Sequence, residues 1–155
     1  MKFMMNGALT IGTRDGATIE MAQEGGEENF FLFGLNAQQV AESRGFYSPW
    51  WHYHNEPETK AALDLIFGDH FSPHERGIFA PIRDVLLTRG DYYMHLADLT
   101  SYVKTQAAVG QLYVQSDAWT RKAILNVAGS GKFSSDRTIL GYAHDIWKVF
   151  SCPVS

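Results

Sequence analysis

The sequence has a single cysteine, Cys152, so no internal disulfide can form, and a reducing, cytoplasmic setting is the expectation. It has no apolar run approaching the ~18 to 20 residues needed to cross a bilayer, so no membrane partner is expected. It has no block of Lys and Arg, and its formal net charge is only −4, which argues against a nucleic-acid partner. It has no internal repeat and no low-complexity stretch. With 45% apolar and 19% charged residues, it can offset the entropy of folding by burial, which excludes a disordered chain. The opening MKFMMNGALTIG has one Lys and an apolar patch, as a secretory signal does. Asn6 and Gly7 break the patch and no clean small-residue cleavage site follows, so a signal peptide is not the expectation.

A length of 155 residues suits one domain. Residues 8–13, ALTIGT, read as a short strand that ends at the Asp15-Gly16 turn. Ala17 to Glu24 has helical character and stops at Gly25-Gly26. The run Phe30-Phe31-Leu32-Phe33-Gly34 is short, aromatic and apolar throughout, which predicts a strand buried on both faces. Strand, helix, strand suggests a parallel pair. Two strands make a poor sheet, and the pattern predicts that they continue a larger sheet outside this chain.

Beyond residue 34 the chain reads as mainly helical. Asn36 is placed to cap a helix through Arg44. Residues 46–55, FYSPWWHYHN, read as an aromatic loop, and Asn55 as the cap of a helix with Pro57 in its first turn. Leu63, Ile66 and Phe67 fall on one face of that helix. A further helix is expected from Ile78 to Leu87, with Pro81 tolerated in the first turn. Asp98 is expected to cap a helix to Tyr113, and Ser116 one that turns Trp119, Leu125 and Val127 inward and ends at Gly129. Ser134 or Ser135 should cap the last helix, where Ile139, Tyr142, Ile146 and Trp147 share a face. The expected fold is α/β and helix-rich, with two or three strands followed by about six helices. It is read as one partial domain over residues 1–155: a strand-bearing segment over 1–34 and a mainly helical one over 35–155.

Several patterns invite a chemical reading and do not sustain it. GSGKFSSDR (Gly129 to Arg137) is not a phosphate-binding loop, because Asn126 and Phe133 stand where the pattern needs Gly and Ser/Thr, and a helix precedes it. It reads as a helix-loop-helix turn with a Ser cap. His52 with His54, and His70 with His74, have no third ligand at a suitable spacing, so no metal ligand is assigned. Pro49, Trp50, Trp51 and Tyr53 form either a sugar-stacking or partner surface or an aromatic loop folded over helices, and the second is preferred. Glu24, Glu27 and Glu28 have no neighbour to set one carboxyl apart as an acid, and no catalytic residue is assigned. Lys2 is ordinary by its local surroundings: a lysine that condenses with an aldehyde needs burial or a nearby cation, and neither is visible here.

The order of motifs nevertheless resembles one family. Met1-Lys2-Phe3-Met4-Met5-Asn6-Gly7-Ala8-Leu9-Thr10-Ile11-Gly12-Thr13 is similar to the signature around the pyridoxal-phosphate lysine of glycogen, starch and maltodextrin phosphorylases. The likeness runs on through Asp15-Gly16-Ala17, Ile19-Glu20-Met21-Ala22, Gly26-Glu27-Glu28-Asn29 and Phe31-Leu32-Phe33-Gly34. It weakens over residues 36–95. It returns in Ala97-Asp98, Tyr102-Val103, Gln111-Leu112-Tyr113, Trp119, Ser130 to Arg137 and Ile146-Trp147. Arg14 and Thr18 depart from the common pattern, where Leu and Asn are usual; neither position carries a known role.

The resemblance implies an α-glucan phosphorylase, which transfers a glucosyl unit from an α-1,4-glucan to inorganic phosphate and gives glucose 1-phosphate. It implies a two-lobed (GT-B type) glycosyltransferase, with this chain forming the C-terminal part of one Rossmann-like lobe. It implies pyridoxal 5′-phosphate attached at Lys2, the one cofactor-binding residue assigned, with the cofactor's own phosphate assisting proton transfer. Asn6, Thr10 and Asp15 lie near Lys2 in sequence and are expected to serve capping and turn geometry. The family's phosphate and glucose contacts fall on segments upstream of Lys2, and Met1 matches an internal Met of the pattern. An internal start, a truncated gene or a domain piece would each account for that. The expectation is therefore a chain with little or no activity alone, the alternative being a non-catalytic self-association or interaction module.

Overall fold

The computed structural model describes residues 1–152. The elements run α1 (Lys2–Met5), β1 (Ile11–Thr13), α2 (Ala17–Gly25), β2 (Phe31–Phe33), α3 (Ala37–Ser43), α4 (Pro49–Asn55), α5 (Pro57–Phe67), α6 (Ala80–Arg83), α7 (His95–Tyr113), α8 (Ser116–Gly129) and α9 (Ser135–Gly141). π-type turns extend α6 over Asp84–Thr88 and α9 over Tyr142–Trp147. The α/β, helix-rich class is observed, with a small parallel sheet of β1 and β2 as the two strands among the described residues. Contacts gather the chain into two compact units. One takes Met1–Thr10, Gly16–Phe31 and the chain from Leu112 on; the other takes Ile11–Asp15 and Leu32–Gln111.

In the first unit, α2 runs from Ala17 to Gly25 and stops where Gly26 takes φ 85°, the left-handed conformation that glycine adopts without a Cβ penalty. The predicted stop at Gly25-Gly26 stands. α8 ends at Gly129, as read. Its inward face differs from the expectation: Leu125 and Val127 are exposed, Trp119 is partly buried, and the residue with no exposure is Asn126. The helix is rotated because Gly129 lets it approach the end of α2: a Cβ on Gly129 would stand 2.7 Å from the Glu24 carbonyl oxygen and 2.7 Å from Gly25 Cα. Ser134 caps α9 by accepting from the Arg137 N–H at 3.2 Å. The stripe Ile139, Tyr142, Ile146 and Trp147 is exposed along its length, with Tyr142 and Trp147 meeting edge-on at 5.8 Å between ring centroids.

In the second unit, Asn36 and Gln39 form a reciprocal capping box on α3, 2.9 Å each way. Residues 46–55 are not the expected loop. Pro49 sits at the first position of α4, where its missing N–H costs nothing, and the aromatic run that follows is helical to Asn55. Asn55 does not cap α5; its side chain donates to the Trp51 carbonyl, and Glu56 stands at the cap ahead of Pro57. Leu63 of α5 reaches the core with Leu87 and Leu96, flanked by Tyr53, Phe67 and Leu86. Pro81 lies in the first turn of α6, as read.

Two further expectations in this unit are corrected. α7 begins at His95, so Asp98 is inside its first turn. The Asp98 carboxylate accepts the Leu35 N–H at 2.8 Å, and Ser101 Oγ accepts the Gly34 N–H at 3.1 Å. The start of α7 is served by Asp91, whose Oδ2 accepts the Leu96 N–H at 2.9 Å. β2 is half-buried at each of its three residues and is not buried on both faces, since a two-stranded sheet has little to cover it. Phe33 meets the edge of Tyr102, ring centroids 5.1 Å apart.

Candidate cofactor-lysine site

Lys2 opens the single helical turn α1, and both it and Phe3 are exposed. The turn has no length to hold itself, since helix nucleation is unfavourable over so few residues. Its hold is local bonding plus one anchor. Asn6 Nδ2 donates to the Lys2 carbonyl at 2.7 Å, and Asn6 and Gly7 return N–H bonds to Phe3 and Met4. Gly7 leaves the turn at φ 79°. The anchor is Met4, with no exposed surface, whose methyl lies beside Gly25 at the end of α2.

That anchor point is a four-residue node. A Cβ on Gly25 would stand 2.8 Å from Phe30, 3.2 Å from the Met4 methyl and 3.3 Å from Asn126 Oδ1. Gly25 is therefore a packing requirement of the turn that carries Lys2. Asn126 is the polar member of the node, and neither of its amide atoms finds a partner among the described residues. The sequence showed the Gly-Gly pair as a helix stop, but nothing in it distinguished Gly25 as a contact or Asn126 as buried.

The residues near Lys2 in sequence divide. Asn6 does cap the turn, as expected. Thr10 gives its carbonyl to the Phe31 N–H at 3.0 Å. Asp15 is exposed, and Gly16 stands at the N-cap of α2 with no side-chain cap bond. Glu24, exposed in the last turn of α2, pairs with Lys132 Nζ at 2.5 Å. The GSGKFSSDR segment is the turn it was read to be, a 3-10 turn over Ser130–Phe133 followed by the Ser134 cap, and its lysine is held by Glu24. Lys122 donates to the Glu28 carbonyl.

His52 and His54 serve carboxylate and aromatic contacts. His52 Nδ1 bonds Glu56 Oε1 at 2.9 Å, and Glu56 Oε2 accepts from Thr59 Oγ1 at 2.8 Å. His54 stacks on Trp50 at 5.7 Å. No group of three or more metal-ligating side chains is gathered among the described residues. Burial, together with the hydrogen bond to Asp91, pushes the Tyr47 hydroxyl well above its ordinary titration range. The Lys60 ammonium, then the Tyr53 hydroxyl, hold the exposed Asp64 carboxyl below the usual range. Among the described residues no helix is long and apolar enough to cross a membrane.

Lys2 thus stands exposed at the head of a short turn whose buried residue, Met4, lies against Gly25 of α2. The sequence model described as Carbohydrate phosphorylase matches residues 1–149, and the chain belongs to that family. A glycogen phosphorylase of Synechocystis is 51% identical over 150 residues, which is 96% of this chain and 18% of that protein. The brain-form glycogen phosphorylase of Bos taurus is 52% identical over 148 residues, 95% of this chain and 17% of that protein. A glycogen phosphorylase of Chlamydia trachomatis is 47% identical over 149 residues. The chain thus spans less than a fifth of the length of these curated relatives, 17–18% in each case.

Proposed function

We propose that this chain is the C-terminal part of an α-glucan phosphorylase and that Lys2 is its cofactor-attachment residue. The observation that carries the reading is the match over residues 1–149 together with the position of Lys2: exposed at the head of a turn whose fourth residue is buried. On this reading the chain forms the C-terminal part of a Rossmann-like lobe of a GT-B type, two-lobed glycosyltransferase. Its two short strands would extend a sheet begun elsewhere, and its exposed apolar stripe on α9 would be covered there. The reaction would move a glucosyl unit from an α-1,4-glucan to inorganic phosphate, in the cytoplasm.

Lys2 supplies the amine to which pyridoxal 5′-phosphate would attach, and the burial such an amine needs would come from segments outside this chain. Lys2 offers an accessible primary amine, and its backbone is fixed by Asn6 and by the Met4 seat. When bound, the cofactor would supply a phosphate whose second pKa near 6 lets it donate and accept protons at neutral pH. This chain's own residues would orient: Met4, Gly25 and Asn126 set where the Lys2 turn stands, and positional error of this kind is costly in phosphate chemistry.

Activity of the isolated chain is expected to be small or nil. Phosphorolysis of maltodextrin with added pyridoxal phosphate tests this, and clear production of glucose 1-phosphate would overturn it. Borohydride trapping with peptide mapping tests the attachment separately, with weak labelling of Lys2 expected in isolation. A second reading, self-association of the fragment, is favoured by the exposed Ile139, Ile146 and Trp147. Sedimentation at several protein concentrations decides it: a strictly monomeric, stable chain argues against.

A further inference from the structure

The second unit holds a pocket of about 440 Å³ that has no part in the Lys2 turn. Its volume lies within the roughly 300–1,000 Å³ usual for small-molecule sites. Four aromatic rings and two hydroxyls define it: Phe46, Tyr47, Trp51 and His52, with Ser43 and Ser48. Phe46 and Trp51 are 78% and 56% exposed. No lining side chain carries a fixed charge. An apolar wall with hydroxyl and imidazole partners and no fixed charge selects a neutral, hydroxylated ligand over a phosphate or a carboxylate.

Two of the walls are held from behind. Tyr47 is pinned by its hydroxyl, which donates to buried Asp91 at 2.7 Å. His52 is pinned through Nδ1 by Glu56, itself fixed by Thr59, a residue with 3% exposure. That pairing leaves Nε2 of His52 as its free hydrogen-bonding atom. The Ser48 hydroxyl, at the cap position of α4, bonds no helical N–H, so it too is available. Pre-set walls of this kind reduce the ordering cost of binding.

We propose that this pocket binds a glucosyl unit of an α-glucan, as a site separate from the cofactor lysine. A pyranose ring has an apolar C–H face that lies on aromatic surface and a rim of hydroxyls that both donate and accept. Trp51 and Phe46 supply the first, and Ser43, Ser48 and His52 the second. The choice of glucose among neutral polyols rests on the proposed glucan substrate; the geometry of the pocket stands without it.

The test is titration of the full 155-residue chain with maltotriose, followed by saturation-transfer NMR and tryptophan fluorescence. Binding in the millimolar range is expected, with Trp51→Ala weakening it by about tenfold or more. Ser48→Ala, a milder change that leaves the aromatic wall intact, should weaken it severalfold. Trp147→Ala, which alters an exposed tryptophan outside the pocket, should leave it unchanged. No saturation transfer to maltotriose would overturn the proposal. So would binding that survives Trp51→Ala, or a pocket shielded by self-association instead of by sugar. None of these outcomes bears on whether Lys2 holds the cofactor, which phosphorolysis and borohydride trapping report independently.

Discussion

The Tyr47 hydroxyl donates to Asp91 Oδ2 at 2.7 Å, and the same carboxylate oxygen accepts the Leu96 N–H at the head of α7. Asp91 is 1% exposed and holds a left-handed φ of 45°. One buried side chain therefore ties residue 47 to the start of the longest helix. Removing the tyrosine hydroxyl would leave a buried carboxylate short of a partner. Tyr47→Phe should cost about 1.5–3 kcal/mol in urea unfolding, the range for hydrogen bonds to charged groups. An unchanged midpoint would show that the bond contributes nothing.

The same pair predicts a pH dependence. In the folded chain the Tyr47 hydroxyl titrates above its ordinary value of 10.0, raised by burial and by Asp91. A group whose pKa is raised on folding contributes stability that is present below its unfolded pKa. That contribution is lost as pH rises from there toward the folded value. Thermal unfolding of the wild type should therefore lose stability above about pH 10 more steeply than Tyr47→Phe does. Parallel curves for the two proteins would contradict the assignment.

Glycines separate cleanly by what surrounds them. Gly129 faces backbone of Glu24 and Gly25 at 2.7 Å, and backbone cannot swing aside. Gly129→Ala should destabilise by about 1–3 kcal/mol. Gly110, inside α7, has nothing within 4 Å of its would-be Cβ. Gly110→Ala should stabilise by roughly 0.5–1 kcal/mol, through helix propensity. Chemical denaturation of both variants checks the opposite signs.

Asn126 is buried with both amide atoms unpaired among the described residues. Replacing such a group by an apolar one of similar size removes a desolvation penalty. Asn126→Leu should leave the isolated chain as stable or more so, whereas Asn126→Asp should cost about 1–3 kcal/mol. A large loss in Asn126→Leu would mean that the amide is satisfied by ordered water.

Much of the fold could be read in the sequence where the signal was local. The Asn36 capping box, the α2 stop at Gly25-Gly26, Pro81 in a first turn and the Ser134 cap each depend on a few adjacent residues, and each is observed. The local pattern misleads where a distant group wins. Asp98 serves the Leu35 N–H, 63 residues away, so the start of α7 was misplaced. FYSPWWHYHN looked like a loop because its aromatics and Pro49 suggested one, yet Pro49 opens a helix. Periodicity points Leu125 and Val127 inward, but with α8 drawn close to α2 at Gly129 it is Asn126 that is buried. The candidate site divides the same way. Lys2 was identifiable from its surrounding pattern, while Gly25 and Asn126, which seat its turn, are visible only in three dimensions.

The central claim is that Lys2 is the cofactor lysine of a glucan phosphorylase. The most direct measurement replaces the matching segment of the Synechocystis glycogen phosphorylase with residues 1–149 of this chain, where the two are 51% identical. Bound cofactor and glucose 1-phosphate from maltodextrin are then read with and without Lys2→Ala. The account predicts that the chimera retains both, and that Lys2→Ala loses covalently held cofactor and activity while the protein stays folded. A folded Lys2→Ala chimera that still holds the cofactor covalently would contradict it.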